Sequence, residues 1–160
     1  MALSAFRRAC EPLIRRALHG YWRVSRGMTL GVRAAVIDAQ GRVLLIEHSY
    51  VDGWHFPGGG VEPGETFETA LARELREEGG VEITGPPFLH GIYFNSHVSR
   101  RDHVALYIVR EFRQMTKPLP NYEIADHGFF ALTDLPADTT AGTRARLAEI
   151  FNGKPASPRW

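Results

Sequence analysis

Three glutamates, Glu74, Glu77 and Glu78, crowd the end of a helix-like run. Reading Thr66 to Glu78 as an α-helix at about 100° per residue puts Glu77 and Glu78 about 60° to one side and about 40° to the other side of Glu74. Phe67, Ala70, Leu71 and Leu75 fall in or beside the same arc, while Glu68, Thr69, Ala72 and Arg76 lie opposite. The acidic cluster therefore shares the face that must be buried. A glutamate run is ordinarily a solvated helix face. Here the charges sit on the apolar side and crowd the negative end of the helix dipole. Like charges this close, partly desolvated, take a cation or protonate. An oxygen-only, highly charged ligand set suits a hard divalent ion, Mg²⁺ or Mn²⁺.

Local signals bound the helix. Thr66 is placed to cap it, Glu68 suits its first turn, and Gly79-Gly80 can end it in a left-handed cap. Ahead of it, Gly58-Gly59-Gly60 permits close backbone approach and unusual φ/ψ, and Glu62-Pro63-Gly64 turns the chain into the helix.

Taken together, this stretch resembles the Nudix box, G-x5-E-x7-R-E-U-x-E-E-x-G-U with U an aliphatic residue. Gly59, Glu65, Arg73, Glu74, Leu75, Glu77, Glu78, Gly80 and Val81 fill all nine fixed positions over 23 residues. The resemblance implies an α/β protein, a Nudix-type α/β/α sandwich around a mixed β-sheet. It implies hydrolysis of a nucleoside diphosphate linked to another moiety, by water attack on phosphorus. Glu74, Glu77 and Glu78 would be metal ligands, with the backbone carbonyl of Gly58 a candidate fourth. Arg73 would orient a carboxylate through a bidentate pair, and Glu65 would fix the loop against the helix through Arg73. Farther on, Glu123 precedes an aromatic-led strand (Phe129, Phe130) and an Asp134-Leu135-Pro136 turn. This is similar to a second Nudix feature and makes Glu123 the first candidate for general base, with Glu77 or Glu78 as alternatives and Asp126 the nearest substitute. Two other readings stay open: a catalytically silent nucleotide-binding or regulatory module of the same fold, and an RNA-end pyrophosphohydrolase. The downstream markers of the ADP-ribose and dinucleoside-polyphosphate groups are not found at Ser96, His97, Val98 and Ser99, and no substrate follows from the box.

Elements that position these residues can be read around the box. Leu30 to Ile37 and Val43 to Ile46, joined by Asp38-Ala39-Gln40-Gly41, predict a β-hairpin. Gly53 to Pro57 predicts a short strand running into the glycines. Phe88 to Asn95 and Val104 to Phe112 predict two strands. The polar loop between them is either a solvated hairpin loop or a basic flap in which Arg100 and Arg101 meet phosphate. Arg33, on a strand, is either a rim charge or a substrate contact. Trp54 and Tyr93 either stack on a base or, the more usual role, fill the core. Thr140 can cap a last helix with Leu147, Ile150 and Phe151 inward, ended by Asn152-Gly153. Residues 154–160 read as a frayed tail.

The 160 residues suit one domain, the expected division being 1–27, 28–153 and 154–160. One cysteine, Cys10, excludes an internal disulfide framework and makes a Cys-ligated zinc site implausible. Net charge of +1 gives no overall pull toward nucleic acid or membrane, and no stable nucleic-acid partner is expected. No apolar run reaches the ~18 residues of a membrane span. The expected setting is cytoplasmic, with a small nucleotide-type substrate. Charge is uneven: residues 1–27 carry six arginines against Glu11, net +5, which leaves −4 for the remainder. Leu3, Phe6, Cys10, Leu13, Ile14, Ala17, Leu18 and Tyr21 recur at helical spacing, with Pro12 kinking or restarting the run. This extra N-terminal amphipathic helix would pack on the domain, lie on a membrane surface or form a homodimer contact.

Overall fold

The computed structural model describes residues 18, 20, 21, 24–115 and 123–160. The N-terminal amphipathic helix expected over residues 1–27 lies almost wholly outside them. Among the described residues from Thr29 on, eight strands and two helices run in the order β1 (Thr29–Val36), β2 (Val43–His48), β3 (Trp54–His55), α1 (Phe67–Gly79), β4 (Val81–Ile83), β5 (Phe88–Phe94), β6 (Asp102–Val109), β7 (Phe112–Gln114), β8 (Ile124–Phe130) and α2 (Ala141–Asn152). They form a mixed sheet β1-β6-β5, an antiparallel sheet β3-β2-β8 and a β4-β7 pair.

Successive strand residues point to opposite faces, and here both faces are apolar. Val32, Ala34, Val36, Leu44, Ala105, Tyr107 and Val109 meet Ala70, Leu71 and Leu75 of α1. The intervening Ala35, Val43, Leu45 and Leu106 meet Leu147 of α2, together with Phe56 and Tyr93. Runs that are hydrophobic on both faces need a layer on each side, which gives the α/β/α sandwich. Tyr93 is fully buried and Trp54 packs edge-on against Phe130 with ring centroids 4.8 Å apart, so both serve the core.

Two expectations are corrected. The β1–β2 hairpin does not form. Its turn does, with Gly41 N–H donating to Asp38 O at 3.0 Å, but past the Ile37–Val43 bridge the strands part. β1 runs parallel to β6 over eight residue pairs, and β2 pairs with β3 and β8. A turn signal is local, whereas two-sided burial makes each strand seek a distant partner. The second correction concerns residues 154–160, which are not frayed. Phe94 N–H donates to Pro158 O at 3.0 Å and Trp160 N–H donates to Phe94 O at 3.1 Å. Trp160 packs against the α2-side core.

An ion pair beneath that segment holds it. Arg146 Nη2 donates to Glu149 Oε1 at 2.7 Å, both side chains being nearly fully buried. Glu149 also accepts from Tyr93 Oη at 2.8 Å and from Ser157 N–H at 2.9 Å, while Arg146 Nη1 donates to Arg159 O at 2.7 Å. Burial pulls the Glu149 carboxyl upward, but these donors outweigh it and hold it below its ordinary range. Glu149→Ala would leave a buried guanidinium without its partner. It should cost roughly 3–5 kcal/mol, read as a lowered urea midpoint at unchanged slope; a shift under about 1 kcal/mol, typical of an exposed pair, would show that the network carries no such role.

Candidate active site

The glycine segment forms one wall of the site because it is laid along β1. Val32 N–H donates to Gly59 O at 2.9 Å, Ala34 N–H to Pro57 O at 2.9 Å, and Val61 N–H to Leu30 O at 2.8 Å. Gly58 sits at φ 137°, and a Cβ there would lie 2.1 Å from Val32 O, so only glycine fits. At Gly59 a Cβ would lie 2.4 Å from Glu74 Oε1. The helix carboxylate thus rests on bare backbone.

α1 forms the opposite wall. Thr66 Oγ1 accepts from Thr69 N–H at 3.1 Å, and Gly80 at φ 57° ends the helix, its N–H donating to Leu75 O. The buried stripe is Ala70, Leu71, Leu75, Glu78 and Gly79. Glu78 lies within it, and Glu74 keeps only 12% of its side chain exposed. Glu77 departs from the expected buried cluster, with 61% of its side chain exposed. The stripe is centred on the Glu78 side of Glu74, which leaves Glu77 outside the opposite edge.

Arg73 ties loop to helix. Its Nε and Nη2 donate to Glu65 Oε1 and Oε2, both at 3.0 Å, in a bidentate pair. Nη1 donates to Glu74 Oε1 at 2.7 Å, Nη2 donates to Gly60 O at 3.1 Å, and Glu77 Oε2 lies 3.7 Å from Nη1. The Arg73 hydrogen bonds and the Glu62 N–H hold the Glu65 carboxyl down at about 2; the same carboxylates push Arg73 upward.

Glu78 Oε2 accepts from Gly58 N–H at 2.6 Å. Burial raises its carboxyl to about 7, helped by the charges of Glu74 and Glu123, against the pull of that N–H and of Arg33. Arg33 is not a rim charge. It reaches under the glycine segment, where Nη1 donates to Phe56 O at 3.0 Å and to Gly58 O at 2.5 Å. Burial lowers its pKa, and the charges of Glu78 and Glu74 oppose that.

Glu123 enters from the far side. β8 pairs with β2 in a register that sets His48 against Ile124, and Ser49 N–H donates to Glu123 O at 2.9 Å. A cavity of about 300 Å³ results, lined by Glu74, Glu78, Glu123, Arg33, Gly58 and Gly59, with His48, Tyr50, Val51 and His55. Glu65 and Glu77 stand outside its lining. Arg100 and Arg101 are exposed in the β5–β6 loop and do not line this cavity; their neighbours His97 and Val98, but not the two arginines, line a second cavity of about 530 Å³ that shares Arg33, Val51, His55 and Gly59 with the first. His48 and His55 are additions to the residues expected. Their rings lie 5.8 Å apart, and burial foremost, with the Arg33 charge, holds both below the usual imidazole value. His55 Nε2 lies 3.1 Å from Asp52 O. The sequence signal for them is thin: His48 ends an apolar strand, and His55 sits in a short strand between Trp54 and Phe56.

The oxygen donors at the acidic cavity are the carboxylates of Glu74, Glu78 and Glu123 and the Gly58 carbonyl, with the imidazoles of His48 and His55 beside them. A carbonyl has two lone pairs, so Arg33 leaves one on Gly58 O. This set fits a hard divalent cation. It is not preassembled: among the described residues no three His, Cys, Asp or Glu side chains are gathered to hold a metal ion, Glu74 being drawn to Arg73 and Glu78 to Gly58 N–H.

The fold and the cavity define the class first: an α/β/α sandwich carrying an oxygen-lined acidic cleft against a glycine loop. The family follows from comparison. The profile described as "NUDIX domain" matches residues 27–150, and the chain belongs to the Nudix hydrolase family, whose members generally use divalent metal ions. A CTP pyrophosphohydrolase of Escherichia coli (strain K12) is 46% identical over 57 residues, 33% of this chain and 42% of that protein. An RNA pyrophosphohydrolase of Halorhodospira halophila is 47% identical over 57 residues, 36% of this chain and 32% of that protein. The matched part thus spans less than half the length of these curated relatives. Among solved structures, a MutT NUDIX hydrolase from Burkholderia pseudomallei superposes with a TM-score of 0.66 at 28% identity, over 76% of this chain and 97% of that one. No helix among the described residues is long and apolar enough to cross a membrane.

The raised Glu78 carboxyl has a measurable consequence. Between its ordinary value and about 7 the folded protein holds a proton that the unfolded chain releases, so stability falls as pH rises through that window. In chelator, Glu78→Gln should flatten the fall and melt a few degrees above the parent at about pH 8, with the curves converging near pH 5. Parallel curves would mean that Glu78 is not strained by burial.

Proposed function

We propose that the protein hydrolyses a pyrophosphate linkage in a nucleoside diphosphate joined to another moiety, in a Mg²⁺-dependent reaction that Mn²⁺ can also support. The observation that carries this reading is the meeting of Glu74, Glu78, Glu123 and the Gly58 carbonyl at one cavity. An anionic diphosphate would be repelled there without a cation. Glu74, Glu78 and the Gly58 carbonyl would hold the ion, with the exposed Glu77 free to turn toward it. When bound, the ion neutralises the diphosphate and acidifies water.

The chain's own groups account for the other requirements. Glu123 takes a proton from the attacking water, whose oxygen bonds to phosphorus as the bridging P–O bond breaks and the phosphate-linked group leaves. Arg33 supplies fixed positive charge beneath the loop and keeps Gly58 in place. Glu65 and Arg73 act as positioning residues: they hold Glu74 in register with the loop but stand outside the cavity. The substrate-contact role for Arg100 and Arg101 rests on a closed β5–β6 loop, which would swing them toward phosphate. An RNA 5′ end is the second reading, favoured by the exposure of those two arginines beside the larger cavity. The cytoplasmic setting and a homodimer through the basic N-terminal segment belong to the same proposal.

Glu78→Gln should lower Mg²⁺-dependent turnover by about 10²-fold or more with an unchanged circular dichroism spectrum; full activity in that variant would remove Glu78 from the metal site. Glu123→Gln should lose the acidic limb of the pH–rate profile along with about 10²-fold in kcat, and a profile that superimposes on the parent's would exclude Glu123 as the base. A panel of nucleoside triphosphates, sugar-linked nucleoside diphosphates and 5′-triphosphate RNA, scored by phosphate release with Mg²⁺ and Mn²⁺, separates the substrate readings. Flat traces with retained nucleotide binding would favour a silent binding module.

A further inference from the structure

Residues 157–160 lie beyond the span matched by the family profile, which ends at residue 150. Even so, the last of them borders the larger cavity beside the acidic site. Trp160 lines that cavity together with Gly59, Asn95, Val98, Thr140 and Gly142. We propose that Trp160 is a specificity-determining residue that contacts the aromatic base of a nucleotide substrate. This inference rests on the hydrolase reading of the adjoining cavity for its orientation: diphosphate at the carboxylates, base toward Trp160.

The position of Trp160 is built. Its backbone N–H donates to Phe94 O, in line with a parallel bridge between Phe94 and Arg159. Its ring packs edge-to-face against Phe56 and Tyr93, with centroids 6.5 and 5.6 Å away. The Arg146 guanidinium lies 5.7 Å from its ring centroid and reaches the same segment through Arg159 O. At Gly142 a Cβ would stand 2.5 Å from Trp160 Nε1, so α2 gives up a side chain where the indole lies. A loosely held aromatic would need none of this. Trp160 is not fully buried, and it lines the cavity.

The cavity's polar contribution suits the same ligand. Asn95 Nδ2 donates to Asp102 Oδ2 at 2.8 Å, and Asp102 Oδ1 accepts from Thr29 Oγ1 at 2.7 Å. An ionised carboxylate only accepts, so Asp102 fixes the Asn95 amide with its nitrogen inward and its oxygen turned away. That leaves an oriented acceptor among apolar neighbours such as Val98 and Val104. An aromatic wall with one oriented hydrogen-bonding group is what a planar base requires, because any base stacks and its edge hydrogen-bonds. A bare phosphate would gain nothing from either.

The test compares the parent, Trp160→Ala and Trp160→Phe with Mg²⁺. Readouts are kcat and KM for the best of the four ribonucleoside triphosphates, calorimetric Kd for that nucleotide, and the inhibition constant of inorganic triphosphate. Trp160→Ala should raise KM and Kd for the nucleotide about tenfold or more while kcat and the inorganic triphosphate constant stay within about twofold. Trp160→Phe should recover most of the loss. A nucleotide KM unchanged in Trp160→Ala would overturn the inference. So would equal weakening of nucleotide and inorganic triphosphate, which is the signature of a merely structural residue. A parent that binds nucleotides in this pattern but turns none over would end the hydrolase reading and leave the inference standing. A parent that hydrolyses nucleotides yet binds them no better than inorganic triphosphate would do the reverse.

Discussion

Gly58 is gripped from two directions. Its N–H donates to Glu78 of the helix and its carbonyl accepts from Arg33 of β1. Everything around the cleft depends on this double hold. Arg33 is anchored in the strand that carries both core faces, and Glu78 is anchored in the stripe of α1 that presses on one of them. The glycine is the only residue that can stand between them, given the 2.1 Å approach of its missing Cβ to Val32 O. A shift of strand against helix would break one of the two bonds and leave either a carboxylate or a guanidinium buried without its partner.

The hold also explains the electrostatic imbalance of the cleft. Three carboxylates face it, while Arg73 is committed to Glu65 and Glu74 and Arg33 to backbone carbonyls. Protonation of Glu78 relieves the crowding in the bare protein. A divalent ion would relieve it better, because it brings two charges that are not already committed to Glu65, Glu74 or backbone carbonyls. Where a divalent ion binds, its affinity would draw on the same charge surplus that raises the Glu78 carboxyl.

Much of this was legible in the chain, and the reason is periodicity. The helix from Phe67, its Thr66 cap and its Gly80 end are local signals, and the structure has them. The burial of Glu74 and Glu78 could be read from the wheel, because the apolar residues beside them mark the inward face. The same wheel puts Glu77 in the buried cluster and the structure leaves it exposed, since being close to the stripe is not being in it. What pairs with what was not legible. Nothing local tells β1 to run beside β6, or β8 to slide along β2 until Glu123 arrives at the cleft. The same holds for residues 157–160, which lie in the terminal stretch 154–160 that reads as a frayed tail. Their order comes from Glu149 and Arg146, polar residues that a helix wheel would send to solvent.

The glycine segment has one more effect, on the outside of the molecule. β1 pairs with β6 along one side, and its other side would be a row of open backbone donors and acceptors. Residues 57–61 lie along that row and satisfy it. An uncovered strand edge is a template on which another chain can add. The stretch that presents backbone to the carboxylates therefore also keeps the sheet from recruiting a neighbour. Loosening it would cost solubility as well as the cleft.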